Sequence, residues 1–266
     1  MATNEIERAM VTGASTGLGK EFATQLATRG ANLVLVARNG ERLDALAAEL
    51  RASAGVDVEV LVADLRDRAA LAAVETRVAT APPVDLLDNN AGYLETGDFA
   101  DLDIEASQGQ IDLNVTALVR LAHAAVRAGR SRGRGGVINL ASGAAFVPSP
   151  GTAIYSATKA FVVAFSQALR EEAKADGVTV TVVCPGFTRT EFQDRAHFDT
   201  SAYPDFVWQS AEQVVTETLA AHDAERGLLI PGVQNRVLAG VMQLVPRSWL
   251  GPMVARLTAE QPPRAE

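Results

Sequence analysis

The feature that most restricts this chain is a recurrence of apolar runs of strand length separated by helical stretches. Arg8-Ala-Met-Val-Thr12 leads into Gly13-Ala-Ser-Thr-Gly17-Leu-Gly19 and then into the helical pattern KEFATQLATRG. Asn32-Leu-Val-Leu-Val-Ala37 follows, and after it come Val56–Ala63, Val84–Leu87, Val137–Ala141, Val178–Val183 and Leu228–Ile230. Helical stretches lie between them: ERLDALAAELRAS, ALAAVETRVAT, IDLNVTALVRLAHAAVRAG, AFVVAFSQALREEAKA and Ala211–Ala224. A run such as Asn32–Ala37 does not alternate apolar with polar residues. It suits a strand covered on both faces, as strands of a parallel sheet are. Strands and helices in alternation predict an α/β protein: a doubly wound, mainly parallel sheet of about seven strands with helices on both faces. No shift of composition interrupts the pattern, so residues 1–266 are expected to form a single domain.

A sheet of this kind binds ligands outside the C-terminal ends of its strands. Four successive runs deliver Asp64, Asn90, Ser142 and Pro185-Gly186 to that edge. The glycine turn after the first run is spaced G-x-x-x-G-x-G and differs from the common G-x-G-x-x-G fingerprint. A strand, a glycine-rich turn and a helix still make a phosphate cradle, because glycines let the backbone approach and a helix N-terminus favours an anion. Three glycines alone also fit a purely structural turn. Arg38 follows the second run, where an acidic residue would bind a free ribose 2′-hydroxyl. A guanidinium there suits a 2′-phosphate and favours NADP(H) over NAD(H), with a solvated arginine as the bland alternative. Asp88-Asn89-Asn90-Ala91-Gly92 can hold a loop against a flat ligand, or form a tight turn.

The stretch from Ser142 to Lys159, SGAAFVPSPGTAIYSATK, holds a serine and a Tyr155-x-x-x-Lys159 pair. On a helix, i,i+4 spacing puts the phenol and the ammonium on one face. A lysine there favours the phenolate and so lowers a pKa that starts near about 10. Such a tyrosine can give a proton to a carbonyl oxygen or take one from an alcohol. Alone, the pair fits equally a half-buried ring beside a solvated amine. Asn114 lies within an otherwise apolar helical face and needs a partner if buried. His123, on the same helix, is expected to be a packing or interface residue. Asp67 is the expected N-cap of the helix that follows it.

Composition narrows the class. With 24 basic against 32 acidic side chains the net charge is −8, a poor balance for neutralising phosphates, so no nucleic-acid partner is expected. The single cysteine, Cys184, cannot form an internal disulfide. The N-terminus MATNEIERAM carries acidic residues and no apolar run, unlike an ordinary signal peptide. No stretch reaches the roughly 18 uninterrupted apolar residues of a membrane span. A cytoplasmic setting is the expectation, with no metal.

The segment SRGRGG is expected to be a surface turn. Residues 187–207 gather Phe187, Phe192, Phe198, Tyr203 and Phe206, which suits a lid closing over substrate, or alternatively a packing device. Residues 234–258, with Arg236, Arg247 and Arg256 and a break at Pro246, are expected to form a helical extension packed on the body. The stretch 259–266 is expected to be disordered.

With these pieces in order, the chain resembles the short-chain dehydrogenase/reductase family in its single-domain branch, from about Arg8 to Pro231. The resemblance implies a Rossmann-type fold and a catalytic set of Asn114, Ser142, Tyr155 and Lys159. It implies coenzyme contacts from Gly13, Ser15, Thr16, Gly17, Leu18 and Gly19, from Arg38, and from Asp64 with Leu65. It implies further contacts from Asn90, Ala91 and Gly92, from Tyr155 and Lys159, and from Pro185, Gly186, Thr188 and Thr190. Two departures stand out. Asp88 occupies a position that is usually apolar, and Thr16 stands where many NADP-using members carry a second basic residue. Pro231-Gly-x-x-Asn235 is similar to a subgroup of carbonyl reductases.

The resemblance implies hydride transfer between a ketone or aldehyde and an alcohol, on a small apolar substrate, by a homodimer or homotetramer. In that reading Tyr155 is the acid/base and Ser142 holds the substrate oxygen. Lys159 holds the coenzyme ribose and tunes the phenol, and Asn114 anchors a water. One rival is a non-catalytic dinucleotide-binding regulator, though such proteins tend to lose the Tyr/Lys pair. Another is an epimerase or dehydratase with the same tetrad, which usually has a longer C-terminal part.

Overall fold

The computed structural model describes residues 6–192 and 205–244. Its strands are β1 (Arg8–Thr12), β2 (Asn32–Ala37), β3 (Val58–Val62), β4 (Leu86–Asn89), β5 (Gly135–Leu140), β6 (Val178–Val183) and the short β9 (Leu228–Leu229). They form one seven-stranded sheet in the order β3-β2-β1-β4-β5-β6-β9. Every pairing is parallel. The chain moves outward from β1 to β3 and then crosses back to β4, so the sheet's switch point lies between β1 and β4. Two further strands, β7 (Thr188–Arg189) and β8 (Gln209–Ser210), pair in parallel apart from the main sheet.

The helices are α1 (Gly17–Thr28), α2 (Gly40–Ala54), α3 (Arg68–Ala79), α4 (Ile104–Ile111), α5 (Leu118–Arg132), α6 (Ala153–Ala173), α7 (Ala211–Asp223) and α8 (Val233–Leu244). They cover both faces. On one, Leu33, Leu35, Leu86 and Ile138 pack with Phe22 and Leu26 of α1, Leu43 of α2 and Leu219 of α7. On the other, Met10, Val34, Val36 and Leu87 pack with Leu71 and Val74 of α3 and Leu121 of α5. Leu33 through Val36 are all fully buried, as the unbroken apolar run requires. Each such side chain stabilises the fold by about 1.5–3 kcal/mol relative to exposure.

Several boundaries differ from expectation, each for a tertiary reason. β4 begins two residues later than the run Val84–Leu87, so Asp88 and Asn89 lie inside the strand. The Asn89 amide is satisfied there by the Leu118 carbonyl and the Asn139 side chain, and Asn139 in turn donates to Ser166 Oγ. SRGRGG is not a single surface turn. Ser131 and Arg132 close α5, and Gly135 and Gly136 enter β5, where the buried His222 ring lies against Gly136. The long helix around Asn114 is continuous in direction but winds as a π-helix over Asp112–Ala117. His123 is exposed. In α8, Asn235 packs on Gly186 and Arg236 donates to Glu217, whereas Val233, Val237, Leu238 and Val241 are exposed. The expected lid over 187–207 is described only at its two ends. Phe198, Tyr203 and residues 245–266, including the tail's Arg247 and Arg256, lie outside the described residues.

Candidate active site

The C-terminal ends of β1 and β4 are tied by one threonine. Thr12 Oγ1 donates to the Asp88 carbonyl and accepts from the amides of Asn90 and Ala91. The Asn90 side chain returns a bond of 2.8 Å to the Thr12 carbonyl. The glycine turn closes over this joint. A Cβ on Gly19 would stand 2.3 Å from the Gly13 carbonyl oxygen, so α1 can start this close to the turn only with glycine there. No acidic residue sits in the first turn of α1, and its N-cap Thr16 makes no side-chain cap. Orphan amides at a helix start favour an anion. Ser15, Thr16, Gly17 and Leu18 line this entrance and are all partly exposed.

Along the same edge, Arg38 leaves β2 exposed to solvent. The Asp64 carboxylate pairs with Arg66 at 2.7 Å. That hydrogen bond, and more weakly the positive charge of Arg38, holds the Asp64 carboxyl below the usual carboxylate range despite partial burial. Leu65 is buried beneath it. Arg38, Asp64 and Leu65 thus stand together at the β2–β3 end, as the sequence implied.

The four residues of the expected catalytic set come from three elements. Ser142 follows β5 and accepts a hydrogen bond from the Ala144 amide. Tyr155 and Lys159 lie one turn apart on α6, with the Lys159 nitrogen 5.7 Å from the tyrosine ring centroid. Asn114 sits in the π-helix, 1% exposed, where it accepts from the Tyr93 amide and donates to the Tyr93 carbonyl and Thr158 Oγ1. A Cβ placed on Gly92 would be 2.9 Å from Asn114 Oδ1 and 3.5 Å from Lys159 Nζ. Asn114 and Lys159 therefore converge at the end of the Asn90-Ala91-Gly92 loop. A π-turn inserts one residue into the helix and re-aims the side chains around it. Here it turns Asn114 onto the Tyr93 backbone.

Electrostatics differ from the expectation in one respect. Burial pushes the Tyr155 phenol up to about 12, and a hydrogen bond with Ser142 offsets part of that rise. Lys159 is not the dominant influence on it. The lysine donates to the Leu140 carbonyl at 2.8 Å, and burial pushes its own pKa down to about 8. Cys184, buried at the end of β6, is pushed up to about 12 and stays a thiol.

Pro185 and Gly186 complete the rim beyond Cys184, and Thr188 Oγ1 donates to the Gly186 carbonyl. The crevice thus has an anion-favouring helix start, a cationic and a polar group at one end, and a Ser/Tyr/Lys/Asn cluster at the other. That donor set fits an extended dinucleotide, with the pyrophosphate at α1.

The family model described as short chain dehydrogenase matches residues 7–200. The chain belongs to the short-chain dehydrogenase family. Among its relatives is human 17-beta-hydroxysteroid dehydrogenase type 3, 32% identical over 241 residues, a span of 90% of this chain and 75% of the relative. A short-chain dehydrogenase from Sphingobium yanoikuyae, solved in complex with NADPH, is 38% identical with a TM-score of 0.82, covering 91% of this chain and 98% of that one. A bulky-bulky ketone specific alcohol dehydrogenase from Comamonas testosteroni is 33% identical with a TM-score of 0.78, covering 92% and 96%. As a short-chain dehydrogenase the protein is an oxidoreductase of CH–OH or carbonyl groups.

Some contacts around this short-chain dehydrogenase crevice were not foreseen. Phe192 lies 6.2 Å from Tyr155, centroid to centroid, and Glu191 pairs with Arg42 at 2.8 Å. The Asn235 amide packs on Gly186, 2.5 Å from where a Cβ would stand. Phe192 and Asn235 carried a signal, as members of the aromatic cluster and the Pro-Gly-x-x-Asn motif. Arg42 and Glu191, 149 residues apart, carried none.

Proposed function

We propose that the protein is an NADP(H)-dependent carbonyl reductase/alcohol dehydrogenase that acts on a small apolar substrate, with Tyr155 as the acid/base. The observation that carries this reading is the meeting of Asn114 and Lys159 beside Gly92, with Tyr155 one turn from Lys159 and hydrogen-bonded to Ser142, at the sheet edge that also offers the glycine turn. The coenzyme, when bound, supplies or accepts the hydride. Gly13, Ser15, Thr16, Gly17, Leu18 and Gly19 would hold its pyrophosphate, and Asp64 and Leu65 its adenine. Asn90, Ala91, Gly92, Pro185, Gly186, Thr188 and Thr190 would line its nicotinamide half. Arg38 would face the 2′-phosphate, which is why NADP(H) is preferred and NAD(H) is the second choice.

Tyr155 keeps its proton through the neutral range and donates it to the substrate oxygen during reduction. Ser142 hydrogen-bonds the same oxygen and steadies its developing charge. Lys159 holds the ribose, and its charge favours the phenolate that forms. Asn114 holds the loop through the Tyr93 backbone and positions a water that reprotonates the lysine.

Likeness to a hydroxysteroid dehydrogenase and to an alcohol dehydrogenase specific for bulky-bulky ketones supports a bulky apolar carbonyl as substrate. Phe161, exposed and stacked on Phe165 of α6, supports a homodimer or homotetramer built on that helix. The acidic balance and single buried cysteine support a cytoplasmic setting, and among the described residues no helix is long and apolar enough to cross a membrane. The test is a panel of ketones followed by NADPH absorbance, with Tyr155→Phe as the blank. Turnover should fall at least about 100-fold while NADPH affinity stays within about 2-fold. A variant that retains most of its turnover removes Tyr155 from the acid role.

A further inference from the structure

Three consecutive residues after β7 reach three separate points of the crevice. Thr190 lies on the glycine turn, its Cβ 3.2 Å from where a Cβ of Gly17 would stand. Glu191 Oε2 lies 2.8 Å from Nη1 of Arg42. Phe192 lies against Tyr155. The segment Thr190–Phe192 is therefore a strap laid lengthwise along the coenzyme cleft. Within it, Glu191 forms an ion pair with Arg42 of α2.

Arg42 stands in the first turn of α2, four residues beyond Arg38, and its amide is held by the capping Asn39 side chain. The Arg42 and Glu191 side chains are 50% and 52% exposed. An ion pair that wet contributes about 0–1 kcal/mol, so it is not needed to hold the fold and can be exchanged. A phosphate monoester presents up to two negative charges and three acceptor oxygens to a guanidinium, against one charge and two oxygens from a carboxylate. The same carboxylate also repels any phosphate brought near Arg42.

We infer that Arg42 is a second cation for the coenzyme's 2′-phosphate and that Glu191 masks it. A 2′-phosphorylated coenzyme must take Arg42 from Glu191 and so breaks this tie between the strap and α2; NAD(H) leaves the pair intact. Glu191 thereby sets how strongly the protein prefers NADP(H), and the ion pair links coenzyme choice to the segment lying on Tyr155. This rests on the reading of Arg38 as the residue facing the 2′-phosphate.

The test is calorimetric titration of the full-length protein and its variants with NADPH, NADH and adenosine 2′,5′-bisphosphate, without carbonyl substrate. Arg42→Gln should weaken NADPH and the bisphosphate about 10-fold and leave NADH within about 2-fold. Glu191→Gln should tighten NADPH about 3-fold, with NADH unmoved, and should lose this effect in the Arg42→Gln background. Equal changes for NADPH and NADH in Arg42→Gln, or no gain in Glu191→Gln, overturn the inference. NADH affinity reports whether each variant is folded. Arg38→Asp is titrated alongside. If it abolishes the NADPH preference while the Arg42 and Glu191 variants do nothing, the masking idea fails and the NADP(H) assignment stands. An unchanged preference in Arg38→Asp removes the assignment itself.

Discussion

Asp88 is the residue least at home in this fold. It lies inside β4 in register with Val11 of β1 and Ile138 of β5, both members of the apolar core. Its side chain is 0% exposed, and neither carboxylate oxygen finds a hydrogen-bond partner among the described residues. Desolvation raises its pKa well above the ordinary carboxyl value and favours its protonated form in the folded protein. Even neutral, an unpaired buried carboxyl costs roughly 1–3 kcal/mol. Asp88→Val should therefore raise the denaturant midpoint by the equivalent of about 1–3 kcal/mol with little change in slope. Chemical denaturation at neutral pH measures it, and a destabilised variant would mean that the carboxyl has a partner. Because the folded pKa is raised, this carboxyl stabilises most below the unfolded value of about 3.9, and its contribution is lost as pH rises through the folded value.

Among the elements, what the sequence made legible is what is settled within a few residues. Asp67 was expected to cap α3, and its side chain accepts from the Ala70 amide at 2.8 Å. Asp67→Ala should cost about 1 kcal/mol in thermal or denaturant unfolding and leave coenzyme binding unchanged. A loss below about 0.3 kcal/mol would show that solvent replaces the cap. β2 and β6 match their apolar runs residue for residue. By contrast, the π-winding at Asn114 answers to the Tyr93 backbone and Thr158, 21 and 44 residues away. The late start of β4 answers to Asn139, 50 residues on. Local periodicity holds no record of such partners. The grouping of Ser142, Tyr155 and Lys159 was legible because its motif is short and ordered; the burial that raises Tyr155 was not, because it depends on the whole packing around the ring.

On the scale of the molecule, polar chemistry gathers at both ends of the sheet, and the two ends respond oppositely to acid. At the end opposite the crevice, His222 is buried, bonded through Nδ1 to Thr181 Oγ1 at 3.0 Å, and burial pushes it down to about 4. A base with a depressed folded pKa loses stability as pH falls from its unfolded value near about 6.5 toward the folded one. Asp88 contributes a slope of the opposite sign as pH rises above its unfolded value. Above about pH 6.5 His222 no longer contributes. As pH rises above about 4 the wild-type protein should lose the Asp88 contribution, and Asp88→Val should be flatter. Unfolding curves taken across that range decide it, and parallel profiles for the two proteins sink the assignment.

The strand order also dictates a history. β1 is made before the other strands of its sheet, yet one of its neighbours is β4, and the sheet is closed at its far edge by β9 at Leu228–Leu229. A ribosome that has released residues 6–89 has supplied β3, β2, β1 and β4, together with α1, α2 and α3 to cover them. Ser142, Tyr155 and Lys159 emerge later, onto a platform whose switch point is already formed. Because parallel pairing over long separations is slow, the half that holds the glycine turn should gain amide protection before the half that bears Tyr155. In this chain the glycine turn and the switch point are built first, and the Ser142, Tyr155 and Lys159 cluster is added to them.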